Sequence, residues 1–236
     1  MRDYLLFVDT ETTGIPKNWH APYTDRENWP CSVQIAWAVY TKAGETVKTE
    51  NFYVRDDDFN ISPESVRIHG ITHDFLIKHG VPREQVLTQL TADLNQYQPL
   101  VVAHYMQLDY HMIGVGYHRA DMHNPLPGLP LFCTMKASSR FPLQHRQRFL
   151  RLGELYERLF QRPMGRQHDS LVDATAAADC FFELVKRGDI DEGMIEKQHA
   201  LDVPDLYPSL KNKAGCGVTA LLMFLLTLLF TYAIYG

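Results

Sequence analysis

Asp9 and Glu11 stand two residues apart at the end of an apolar run, Leu5-Leu6-Phe7-Val8, and Thr12-Thr13-Gly14 follows them. In a strand, residues i and i+2 leave the same face about 7 Å apart. Two carboxylates crowded at the edge of an apolar strand repel each other unless a cation lies between them. Oxygen-only ligands suit Mg²⁺ or Mn²⁺. Many strands simply run into acidic loops, so the pair alone decides nothing. The glycine adds that the backbone can turn closely around a ligand.

Three more residues extend this chemistry. Asp109 follows the apolar stretch Leu100-Val101-Val102-Ala103-His104 and falls in the first turn of a helix, where the macrodipole also favours a plain acid. Asp173 follows Ser170 in an S-x-x-D pattern, a capping signature with its own structural reading. His168 comes just before that helix, which puts it at the same mouth as Asp173. Imidazole titrates near neutrality and suits a general base acting on water. Each element is ambiguous singly. In this order, each at a strand or helix end, they point to one site.

The elements that must position them are legible as a pattern. Val33–Tyr40 and Glu50–Val54 read as strands two and three, with Lys42-Ala43-Gly44-Glu45 as the turn between them. Ser62-Pro63-Glu64 opens a short helix ending near His69-Gly70, Thr72 begins another, and Pro82 opens a third that ends near Tyr97. Leu100–His104 and Leu131–Thr134 are strands four and five, with a helix over about Leu108–Arg119 between them. Helices follow at Arg151–Leu159 and Ser170–Arg187, the latter beginning with Ala174, Ala176, Ala177 and Ala178, small enough for close approach to a sheet. Three strands in succession and then alternating helices and strands predict an α/β fold, a mixed five-stranded sheet flanked by helices. The expected division is a domain over 1–187, a linker over 188–216 and a tail over 217–236.

The bulk composition narrows the class. Of 236 residues, 45% are apolar and 22% charged, enough for a real core. The net charge of −5 argues against gripping nucleic acid through a broad basic surface. The densest basic run is 140–151, with Arg140, Arg146, Arg148 and Arg151, which either follows a phosphate backbone or is a solvated helix face. The four cysteines are dispersed without a CxxC pair, which suggests a reducing compartment and no zinc site.

Over about residues 3–187 the chain resembles the DnaQ-like 3′→5′ exonucleases of the DEDDh type, which have a ribonuclease H-like fold. Asp9-Thr10-Glu11-Thr12-Thr13-Gly14 matches the first motif of that family, His104 and Asp109 the second, and His168 and Asp173 the third. Ile61-Ser62-Pro63-Glu64 and His69-Gly70-Ile71-Thr72 match a further common stretch. Tyr105 and Leu108 depart from the family's usual Asn and Phe. The resemblance implies two Mg²⁺ (or Mn²⁺) ions held by Asp9, Glu11, Asp109 and Asp173, with His168 as the base. It also implies a site for the 3′-terminal nucleotide walled by Thr12, Thr13, Ile68 and His69, with Leu108 beside the base. The expected substrate is a single-stranded DNA or RNA 3′ end, released as nucleoside 5′-monophosphates. Trp19 and Trp29, in the loop after the first motif, either form a flap over the site or pack. A polymerase proofreading subunit, a catalytically silent nucleic-acid-binding module and a homodimer stay open.

The end of the chain is different. Val218–Tyr235 is almost wholly apolar, and about 17–25 such residues cross a bilayer as a helix. Lys211 and Lys213 on its inner side predict, by the positive-inside rule, a single-pass membrane anchor with the catalytic domain in the cytoplasm. A tethered nuclease would then suit nucleic-acid clearance or defence.

Overall fold

The computed structural model describes residues 1–56, 58–141 and 148–199. Its strands are β1 (Tyr4–Thr12), β2 (Ser32–Thr41), β3 (Thr46–Tyr53), β4 (Leu100–Ala103) and β5 (Leu131–Cys133), in the order β3-β2-β1-β4-β5. β1 pairs antiparallel with β2 and parallel with β4, β2 antiparallel with β3, and β4 parallel with β5. This is the expected mixed sheet.

Helices α1 (Pro63–His69), α2 (His73–His79), α3 (Arg83–Tyr97), α4 (Met106–Arg119), α5 (Thr134–Ala137), α6 (Leu152–Phe160), α7 (Ser170–Lys186) and α8 (Glu192–His199) surround the sheet. The caps read from the sequence are present. Ser62 accepts from the Ser65 N–H ahead of Pro63, Gly70 ends α1 with φ of 76°, and Thr72 caps α2. The expected cap of α7 is displaced by one residue. Asp169, not Ser170, caps it by accepting from the Leu171 N–H, since Asp and Ser serve that position equally well.

β1 is buried on both faces, which is why it reads as an unbroken apolar run. Leu5 and Phe7 join the core beneath α6 and α7, whereas Leu6 and Val8 join the core beneath α3 and α4. The alanines of α7 let it lie across β1 and β2. Phe7 meets Phe181 at 5.6 Å and Tyr40 at 5.5 Å, ring to ring. Burying such a side chain contributes about 3 kcal/mol before entropy is charged.

Two expectations change here. The chain after 188 is not all connection, because α8 packs beside β5 and Gln198 accepts a hydrogen bond from the Cys133 N–H (2.9 Å). The membrane placement is corrected. Among the described residues no helix is long and apolar enough to cross a membrane, and the 217–236 segment that carried the expectation lies outside them. Apolar length announces a span without giving it a place in the fold, and the cytoplasmic orientation read from Lys211 and Lys213 falls with it. Residues 142–147 of the basic run also lie outside the described residues; Arg140 is engaged by the Asp189 carbonyl.

Candidate active site

β1 runs on past its parallel partner. Its last pairing with β4 is Phe7 to Val102, whereas Asp9 and Glu11 are still held by β2, opposite Ala36 and Gln34. The backbone of the Asp-Thr-Glu run is therefore fixed on one side and open on the other. The N-termini of α4 and α7 meet at this gap, at the carboxyl end of the sheet. Asp9 and Glu11 project on the α7 side with Leu5 and Phe7. Thr10 projects on the α4 side, where its hydroxyl donates to Asp109 Oδ1 (2.9 Å). Asp109 is 3% exposed.

Crowding and burial act together on the four carboxylates. Asp9 is pushed well above the usual carboxylate range by burial first, then by Asp109, Asp173 and Glu11. Burial, with Asp173 and Asp109 nearby, pushes Glu11 up to about 8. Burial raises Asp109 to about 7 against the opposing Thr10 hydrogen bonds. Burial raises Asp173 to about 6, opposed by the N–H of His168 and reinforced by Asp169. No lysine or arginine forms an ion pair with any of the four among the described residues. Such a cluster holds protons near neutral pH unless a cation replaces them.

The residues fit divalent cations on a second ground. Asp173 Oδ1 is buried and takes no hydrogen bond from the described residues, so an acceptor points into the gap unused. Glu11, His168 and Asp173 each offer a ligand atom within 4.8 Å of the others. His168 itself is exposed and sits in the left-handed region, φ 63°, which costs a non-glycine residue about 1 kcal/mol or more. In that turn its backbone N–H donates to Asp173 Oδ2 (3.1 Å). Loop and helix are thus locked together at the mouth.

The nucleotide-wall residues take varied positions. Thr12 donates its hydroxyl to Gly14 O (2.6 Å), and Thr13 accepts from the Cys31 N–H (3.0 Å), closing the neck of the loop after β1. His69 is buried, with Nδ1 accepting from the Ile71 N–H (3.0 Å) and the Thr12 backbone beside its ring. It lines a cavity of about 100 Å³ with Gln34, Tyr53, Phe75 and His168. Ile68 is 51% exposed beside it on α1. Leu108 packs with Trp29, Met112 and Val115 on the outer face of α4. His104 stands outside the carboxylate cluster. Its Nδ1 pairs with the Thr134 hydroxyl (2.9 Å) and its Nε2 with the Leu150 carbonyl (3.1 Å), and burial lowers it to about 4. It is a neutral tie between β4, α5 and the chain leading into α6.

Gln34 was not foreseen. It is 1% exposed on β2, opposite Glu11. Its Oε1 accepts from the Ser170 N–H (3.3 Å), and its Nε2 donates to Asn51 Oδ1 (2.9 Å). It thereby ties the start of α7, and with it Asp173, to β2 at the position paired with Glu11. The available signal was a single amide inside the apolar run Val33–Tyr40.

Comparison with known proteins gives two positive results. Residues 6–181 match the exonuclease family RNase T. The nuclease domain of 3′hExo, a DEDDh family member solved with rAMP, superposes with a TM-score of 0.63 at 17% identity, covering 79% of this chain and 94% of that one. Exonuclease I of E. coli, solved with a dT13 oligonucleotide, gives 0.63 at 17% identity, covering 78% of this chain and 41% of that one. Cell-death related nuclease 4 gives 0.59 at 17% identity, covering 79% and 65%. The chain therefore spans less than two thirds of the last two of these proteins. At such identity the likeness is one of fold, the ribonuclease H-like exonuclease fold. Curated protein sequences give no match.

Proposed function

Because the chain belongs to the exonuclease family, we propose that it is a metal-dependent nuclease removing nucleotides from the 3′ end of DNA or RNA. The observation that carries this reading is the cluster of Asp9, Glu11, Asp109 and Asp173, four carboxylates all displaced upward by burial, without a cationic side chain among the described residues to balance them. A binding module has no use for such a costly arrangement.

Asp9, Glu11, Asp109 and Asp173 are the residues that would hold two Mg²⁺ or Mn²⁺ ions. When bound, such ions stabilise the attacking and leaving oxygens of an in-line displacement at phosphorus. The rest falls to the chain. His168, exposed at the mouth and tied to Asp173 through its backbone, takes a proton from the attacking water. Thr10 keeps Asp109 oriented, and Gln34 keeps α7 in register with Glu11. His69 and the cavity beside it receive the terminal nucleotide, with Thr12, Thr13, Ile68 and Leu108 as its further surroundings. Attack from this side breaks the bond to the 3′ oxygen of the penultimate nucleotide and frees a nucleoside 5′-monophosphate.

The test is direct. The full chain is incubated with 5′-labelled single-stranded DNA and RNA of one sequence, with Mg²⁺ or Mn²⁺ and with EDTA. A ladder shortening from the 3′ end, with 5′-monophosphates in solution and both lost in EDTA, is the expected result. Endonucleolytic fragments, or cleavage unaffected by EDTA, would reject the reading.

A further inference from the structure

Antiparallel neighbours need only about two to five connecting residues. β1 and β2 are such neighbours, yet residues 13–31 lie between them without helix or strand. This connection is tightly built. Asn28 and Asn18 hold each other, with the Asn18 N–H donating to Asn28 Oδ1 (2.6 Å) and Asn28 Nδ2 to Asn18 O (2.9 Å). The Trp29 indole donates to Ala21 O (3.1 Å), and Tyr23 Oη meets His111 Nδ1 (2.9 Å). Trp29, 2% exposed, seals this framework against α4.

What the framework carries toward solvent is Trp19. Its ring lies 6.0 Å from Tyr105 and 5.8 Å from His111 and stays partly exposed. Its indole N–H, unlike that of Trp29, makes no hydrogen bond to the described residues. Tyr105 is the N-cap of α4, and Asp109 stands in the first turn of the same helix. Tyr105 thus stands one helical turn from Asp109 with Trp19 beside it, both rings partly exposed, and the carboxylate chemistry uses neither.

We propose that Trp19 and Tyr105 form a stacking wall for a nucleobase near the 3′ end of a single strand. This deepens the exonuclease reading and rests on it. Every base has a π face, so an aromatic wall grips any sequence, but only where the base is unpaired. On a chain of net charge −5, contacts to phosphate are a weak source of affinity, and stacking carries correspondingly more of it. A tightly hydrogen-bonded loop is also what a wall requires, since a ring fixed in advance loses little entropy when the base arrives.

The test sets Trp19→Leu and Trp19→Tyr beside wild type on one single-stranded oligonucleotide. The same oligonucleotide is then used with an abasic unit at each of its last three positions in turn. Trp19→Leu is expected to lower kcat/KM about tenfold on the intact strand, chiefly through KM, within the range base stacking delivers. Trp19→Tyr restores most of that loss. At one abasic position the difference between wild type and Trp19→Leu disappears. An active wild type whose Trp19→Leu loss is the same on the intact and on all three abasic strands overturns the wall and leaves the ring a packing role. A wild type that releases no mononucleotide from any strand overturns the exonuclease reading and the wall together.

Discussion

Two groups of buried acid in this molecule are treated oppositely. Asp93, on α3 and 2% exposed, accepts from the Trp37 indole (2.8 Å) and from Lys48 Nζ (2.8 Å). Its charge is balanced within the fold. Asp9, Glu11, Asp109 and Asp173 converge with backbone N–H groups, a hydroxyl and the His168 imidazole for company, but no lysine or arginine pairs with them among the described residues. A fold that can pair a buried acid and leaves four unpaired has left room for a cation from outside. The desolvation penalty is the same physics in both places; only the source of the compensating charge differs.

The sharpest break of this comparison is a crossed pair of substitutions. Asp9→Asn is expected to lower nuclease turnover at least about 100-fold while leaving the metal-free melting temperature unchanged or raised, because it replaces a buried acid whose ionisation burial and its neighbours oppose by a neutral amide of the same shape. Asp93→Asn is expected to do the reverse, keeping turnover within a small factor but lowering stability by about 2–3 kcal/mol in denaturant titration, the worth of a buried charged hydrogen bond. If both substitutions affected stability alike, the distinction between the two acid groups would fail.

Gln34→Ala comes next in size. It removes the tie between the start of α7 and the strand opposite Glu11, and a loss of about tenfold in turnover is expected, with weaker Mn²⁺ affinity by calorimetry. A stability loss with unchanged metal affinity would make Gln34 a packing residue only.

The smallest effect is the pH dependence of the metal-free protein. The folded values of Glu11 (about 8), Asp109 (about 7) and Asp173 (about 6) lie above the ordinary ones, so the folded state binds the extra protons. Their contribution to stability is whole below about pH 4 and is lost as pH rises through 6 to 8. His104 acts from the other side. Lowered to about 4, it contributes stability that is present above about 6.5 and lost as pH falls toward 4. Melting temperatures in EDTA should therefore decline above neutrality, and added Mn²⁺ should restore more at pH 8 than at pH 6. An equal gain at both values would mean that the cluster is not what the metal neutralises.

Much of this was legible along the chain because its signals are local. Alternation and apolar runs announce strands, Ser62-Pro63 and Gly70 announce the ends of a helix, and Asp9-Thr10-Glu11 places two acids on one strand face whatever the rest of the fold does. Other features had no local sign. The S-x-x-D pattern points to Ser170 as the cap, whereas Asp169, an equally good cap, takes that place one residue earlier. The short helices α5 and α8 were missed, the first for its brevity and the second because a polar face on solvent looks like a connection. The apolar tail shows the opposite error, since apolar length announces a possible span without giving it a place.

The sequence by itself determined which residue types the chemistry has, their order, and the elements that carry them, because strand and helix periodicity are properties of neighbouring residues. Only the tertiary structure decided that Asp9, Glu11, Asp109 and Asp173 share one gap, that Gln34 ties its sides, and that Trp19 is carried to Tyr105. Those contacts join residues far apart in the chain. Their energies come from burial and mutual charge, which exist only once the sheet has brought its helices together.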